Sequence, residues 1–119
     1  MGNLASRPTA ERGEMITIRQ WQEINDLRSA ESFGEVCEDW TTGDWGNALA
    51  GEVGELCNKI KKSRRGEFID PAEYMEELGD IGAYLALVAS ELGIDLQEAL
   101  AAEFNRVSKR IGSLYYIPE

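Results

Sequence analysis

Between Asp70 and Gly93 the chain carries a full set of instructions for one helix. The Asp70 side chain can accept from a free first-turn amide, Pro71 has its φ near the helical value, and Glu73 closes a capping box. Gly93 supplies the stop. Inside this segment, Ile81 to Ala89 is uncharged on every side. A helix that is apolar all round must be covered by neighbours, so this one is expected to be central and buried.

Three further helical segments accompany it, and a chain of this size with such a helix is also expected to need a partner to cover it, a homodimer at minimum. The first runs from about Ile18 to Phe33, with Ile18, Trp21, Ile24 and Leu27 at successive i+3 steps and Thr17 and Gln20 placed as a capping box. Repeated i+3 steps drift around a helix, so its apolar face is broad. A turn-like stretch, Asp39 to Asp44, follows, with Asp44 expected as an N-cap. The second helix spans about Trp45 to Ser63 and aligns Leu49, Val53, Leu56 and Ile60. It ends in a basic run before Gly66, which suits the negative end of a helix. The fourth begins at Asp95, with Glu98 three residues on, and reaches about Ile111 before Gly112. No segment shows strand-like alternation. The expected architecture is all-α and four-helix bundle-like. Residues 1–14 are expected to form a loose tail, and 15–119 a single domain.

The chemistry open to this chain is narrow. It has no histidine, which removes histidine bases, histidine metal ligands and the Glu-x-x-His pairs of di-iron bundles. Cys37 and Cys57 make neither a zinc set nor a disulfide framework, and are expected as free thiols in a reducing compartment. A net charge of −10 argues against nucleic-acid binding. The longest apolar run, Ile81 to Ala89, falls short of the ~18–20 residues of a membrane span. With no apolar signal-like core near the start, a cytoplasmic location is expected. Acid–base and metal work must fall mainly to carboxylates.

Glu52 and Glu55 form one i, i+3 pair, and Glu77 and Asp80 another. Such spacing sets both side chains on one helix face, roughly 5–6 Å apart at Cβ. Spacing alone selects nothing here, because Glu35/Glu38, Glu73/Glu76 and Asp95/Glu98 share it. Position separates the two pairs. Glu52 lies between Leu49 and Leu56 on an apolar stripe, and Glu77 and Asp80 stand among Leu78, Ile81 and Tyr84. Gly51, Gly54 and Gly79 lie alongside, although glycine costs a helix about 1 kcal/mol. If the two helices pack antiparallel at ~8–10 Å, the pairs converge. Converging carboxylates repel unless a cation joins them, and hard oxygen donors favour Mg²⁺ or Mn²⁺.

GEVGEL at 51–56 and ELGDIGAYL at 77–85 resemble the paired motifs of the MazG-like all-α nucleoside triphosphate pyrophosphatases: Glu-x-x-Glu, a spacer, then Glu-x-x-Asp. ELCNKIKKSRRG and EFNRVSKRIG are similar to segments of the compact, single-domain members, so the resemblance spans about Trp40 to Gly112. It implies hydrolysis of an NTP or dNTP to the monophosphate and pyrophosphate, and with it a house-cleaning role in the nucleotide pool. It also implies Mg²⁺, with Mn²⁺ an option, held by Glu52, Glu55, Glu77 and Asp80. Homodimers or homotetramers, with sites near subunit interfaces, are implied too. Gly51 departs from the pattern, because the family often has a glutamate there.

Other residues have two readings each. Lys59 and Lys62 lie one and two turns beyond Glu55, as phosphate contacts or a solvated helix end. Tyr84 suits substrate or core. Asn105, Arg106 and Lys109 suit phosphates or a solvated face. Trp40 and Trp45 are candidate stacking platforms for a base. Two rival functions stand beside the leading one: a non-catalytic helical dimerisation or nucleotide-binding regulatory module, and a related all-α hydrolase for dUTP or phosphoribosyl-ATP.

Overall fold

The computed structural model describes residues 15–118; the tail expected at residues 1–14 lies outside them. The described residues form four helices: α1 (Ile18–Phe33), α2 (Thr42–Arg64), α3 (Pro71–Glu91) and α4 (Leu96–Ile111). No strand occurs among the described residues. The capping boxes expected at Thr17/Gln20 and Asp70/Glu73 are both formed, with Pro71 in the first turn of α3. Asp95 caps α4, its carboxylate accepting from the Glu98 amide at 3.1 Å.

The start of α2 differs from the expectation. Thr41, not Asp44, is the N-cap, and the helix begins at Thr42 rather than Trp45. The Thr41 hydroxyl accepts from the Asp44 amide at 3.1 Å, while the Asp44 carboxylate accepts from the Thr41 amide at 2.8 Å. A stretch with turn-like composition is therefore a reciprocal cap, in which Asp44 plays the third-residue role. At the other end the chain leaves α2 through Gly66, whose φ of +98° favours glycine.

α2 and α3, joined by a short connection, form an antiparallel hairpin, which is the main packing contact of the chain. α3 also packs against α1 and α4, so it is central as expected. It is not fully buried: Ala86 and Ala89 are, but Leu85 is 37% exposed. The physical reason is that the α2 backbone packs closely on α3 but not on α1 or α4, so the four helices do not close round a shared core. Val53, Ile60, Leu78 and Leu85 remain exposed on the hairpin, and Leu100, Phe104 and Ile111 on α4.

α1 is held by Trp21, which packs against the Ala86, Ala89 and Leu96 cluster, and by polar groups. Its expected apolar stripe leaves Ile18 and Leu27 exposed, whereas Gln22 and Asn25 are buried. Gln22 Nε2 donates to Ser90 Oγ at 2.9 Å and to the Ile94 carbonyl at 3.0 Å, and Gln22 Oε1 accepts from the Leu96 amide at 2.8 Å. One side chain thus ties the end of α3 to the start of α4. Asn25 donates to the Ala83 carbonyl at 3.0 Å, and Ser90 Oγ donates to Asp26 at 2.7 Å. Buried polar groups with partners of this kind fix a unique docking.

Candidate metal centre

The α2–α3 hairpin brings Glu52, Glu55 and Glu77 into one group, in which each offers a carboxylate oxygen within 4.8 Å of the others. Helical spacing turns Glu52 and Glu55 to the same side of α2, and antiparallel pairing sets Glu77 opposite them. Asp80, one turn beyond Glu77, is exposed and lies outside this closest group. Its charge still reaches Glu52.

The electrostatics are those of a site short of positive charge. Glu52 Oε2 and Glu77 Oε2 are buried and have no hydrogen-bond partner, and Glu77 is only 6% exposed. Burial pushes the Glu52 pKa up, and the charges of Glu55, Asp80 and Glu77 push it further. Lys59 Nζ donates to Glu77 Oε1 at 2.9 Å and stands 3.7 Å from Glu73 Oε1. That contact satisfies one oxygen of Glu77 and leaves the other open. Buried carboxylate oxygens without donors are costly, and a hard cation satisfies them without a proton. The donor set fits Mg²⁺ or Mn²⁺ and has no soft ligand.

Beside this group lies a cavity of about 380 Å³, within the range of small-molecule sites. Asp80 and Tyr84 of α3, Trp40 and Trp45, and residues of α1 line it. The Trp40 and Trp45 ring centroids are 4.6 Å apart with the planes tilted by 54°, and Tyr84 lies 6.4 Å from Trp45. Burial, then the charges of Glu52, Cys37 and Asp80, raise the Tyr84 pKa, so its hydroxyl keeps its proton at neutral pH. The arrangement is an anionic edge, with a donor set that suits a hard cation, joined through Asp80 to an aromatic pocket.

The other expected contacts are distributed differently. Lys62 is exposed. Asn105 donates to the Ile117 carbonyl and accepts from the Ile117 amide, both at 2.8 Å, and so fastens the segment after α4. Arg106 pairs with Glu103, and Lys109 is exposed. Because the α4 backbone does not pack closely on α2, these three residues stand away from the carboxylates of their own chain. Asn25, Arg28, Phe33 and Cys37 line the cavity but were not among the expected site residues. On a helix read for its apolar stripe, Asn25 and Arg28 carry no signal that separates them from a solvated face.

Among known families, the model of the MazG nucleotide pyrophosphohydrolase domain fits residues 42–113. No curated protein and no solved structure matches the chain. The matched region begins at the first residue of α2 and ends just after α4. α1 and the turn carrying Cys37 and Trp40 lie outside it, although they form much of the cavity wall.

Proposed function

The chain belongs to the MazG nucleotide pyrophosphohydrolase family, and on that premise we propose that it hydrolyses a nucleoside triphosphate to the monophosphate and pyrophosphate. The observation that carries this reading is the pair of buried, unpartnered oxygens on Glu52 and Glu77, with Asp80, one turn beyond Glu77, lining an aromatic-walled cavity. Glu52, Glu55, Glu77 and Asp80 would hold Mg²⁺ or Mn²⁺. The bound cation supplies charge neutralisation at the phosphates and a more acidic attacking water.

The chain's own residues account for the remaining tasks. Trp40 and Trp45 offer π faces to a base, and Tyr84, protonated at neutral pH, offers a hydroxyl donor. Asp80 belongs to both the acidic edge and the cavity, so a nucleotide seated on the aromatics directs its phosphates toward the carboxylates. Attack by water requires no covalent nucleophile from the chain. The exposed apolar residues of α2, α3 and α4 support assembly into a homodimer at least. In an assembly, α4 of a second copy is free to bring Arg106 and Lys109 toward the site. The activity fits the cytoplasm, where such an enzyme would clear unwanted nucleotides.

The test is pyrophosphate release from a panel of NTPs and dNTPs, with Mg²⁺ and with chelator. Turnover should require metal and should be lost in Glu52→Gln and Asp80→Asn. Turnover that survives either substitution would refute the assigned carboxylates.

A further inference from the structure

The acidic group between α2 and α3 already contains a cation of the chain's own. Lys59 lies one turn beyond Glu55 on the same helix, and its ammonium is bonded to Glu77 at 2.9 Å. The Lys59 side chain is 23% exposed and that of Glu77 8%, so the bond lies in the wall of the hairpin rather than in open solvent. It is nevertheless incomplete. Glu77 Oε2 remains buried without a partner, as does Glu52 Oε2, so one ammonium serves a group that has room for more positive charge.

We propose that Lys59 is a built-in counter-cation that steadies the metal-free carboxylates and competes with the divalent ion for Glu77. The inference rests on the metal-dependent reading given above. An ammonium and a divalent ion on one carboxylate repel each other at short range, so entry of the metal weakens or breaks the Lys59–Glu77 bond. A second acceptor is close by. Glu73 Oε1 is 3.7 Å from Nζ on the more exposed side, so the flexible lysine stem can transfer its charge there without leaving the hairpin. Lys59 therefore favours the folded, metal-free state at the expense of metal affinity. The opposing possibility is that Lys59 stays on Glu77 and orients it toward the metal, as outer groups often do. The two predict opposite signs.

The deciding experiment measures Mn²⁺ binding by electron paramagnetic resonance at pH 8, on the full chain and on Lys59→Met and Lys59→Arg. Competition predicts Mn²⁺ binding about tenfold tighter in Lys59→Met, the scale on which one adjacent charge acts on a carboxylate. The metal-free thermal midpoint of that variant should fall, and Lys59→Arg should stay near the parent in both. Unchanged or weaker Mn²⁺ binding by folded Lys59→Met would overturn the proposal while leaving the metal site intact. If Lys59→Met does not fold, the unmodified chain still decides. Its Lys59 ammonium resonance in ¹⁵N spectra should shift toward that of a free lysine on Mg²⁺ saturation, and a resonance that does not move overturns the proposal. Absence of Mn²⁺ binding to the unmodified chain would overturn the metal reading itself and the competition with it.

Discussion

Glu52 on α2 and Glu77 on α3 face one another across the hairpin, each with one buried carboxylate oxygen that no donor satisfies. Both belong to a group whose ligand atoms lie within 4.8 Å. Such an arrangement costs stability until a cation joins it. Glu52→Gln should therefore raise the metal-free thermal midpoint by about 2–5 °C at pH 8 while abolishing turnover. Added Mg²⁺ should stabilise the parent and leave Glu52→Gln nearly unmoved. Differential scanning fluorimetry with and without chelator checks both, and a parent indifferent to Mg²⁺ would count against the site.

Stability should also depend on pH through Glu52. Its pKa is raised in the folded chain, first by burial and then by Glu55, Asp80 and Glu77. The folded state thus holds this proton to higher pH than the unfolded state, and the associated stability is complete below the ordinary value of 4.5. It is lost as pH rises through the folded value. Metal binding runs the other way, because the ion must displace the proton. Mg²⁺ affinity should weaken as pH falls toward the folded Glu52 value, with proton release on binding. Calorimetry in buffers of different ionisation enthalpy measures that release, and a pH-independent affinity would remove Glu52 from the ligand set.

The aromatic wall makes a separable prediction. Trp40 is half-buried against Trp45, with ring centroids 4.6 Å apart. If a base stacks there, Trp40→Ala should raise KM about tenfold or more, since one base–aromatic stack is worth about 1–3 kcal/mol. The change in kcat should be smaller, because the carboxylates are untouched. Trp45 is 8% exposed and belongs to the core, so Phe is its informative replacement. Steady-state kinetics separate the two parameters, and an unchanged KM in Trp40→Ala would place the base elsewhere.

The helices and the carboxylates were legible for different reasons. Helix ends at Thr17, Asp70 and Asp95 could be read because capping is local chemistry with a fixed spacing. The start of α2 was missed because Thr41 and Asp44 form the same box inside a segment whose composition reads as a turn. The expected convergence of the two pairs rests on i, i+3 spacing plus antiparallel packing; it brings Glu52, Glu55 and Glu77 together and leaves Asp80 outside the closest group. The packing of Trp21 belongs to the expected stripe of α1, but the helix's polar contacts were not legible. Gln22 and Asn25 are buried through partners 58 to 74 positions away, at Ala83, Ser90, Ile94 and Leu96. Periodicity ranks polar residues as outward-facing, and only tertiary structure reverses that.

The missed cap can itself be tested. Thr41 accepts from the Asp44 amide and sits directly before the helix that carries Trp45, Glu52 and Glu55. Thr41→Ala should cost about 1 kcal/mol, the usual loss for an N-cap. Thr42→Ala, one residue inside the helix, should be close to neutral. Urea denaturation at constant m-value distinguishes them, and equal effects at the two positions would place the cap elsewhere.

Gly51 offers the last test, because it departs from the family's usual leading glutamate. The departure is not steric: Gly51 is exposed, and a Cβ built there meets no atom within 4 Å. Gly51→Glu should therefore fold. Replacing an interior helix glycine gains about 0.5–1 kcal/mol, while a new charge one turn before Glu55 gives back about 0.2–0.5 kcal/mol. The metal-free midpoint should change little. Under Mg²⁺ the balance shifts, because an added carboxylate beside Glu52 meets a cation rather than only like charges. If a leading carboxylate supports the metal or its water, kcat/KM should increase and Mg²⁺ affinity should tighten together. Tighter metal binding with unchanged turnover would make the extra carboxylate a ligand without a part in catalysis. A loss of both would mean that this hairpin is tuned to the smaller number of charges it has.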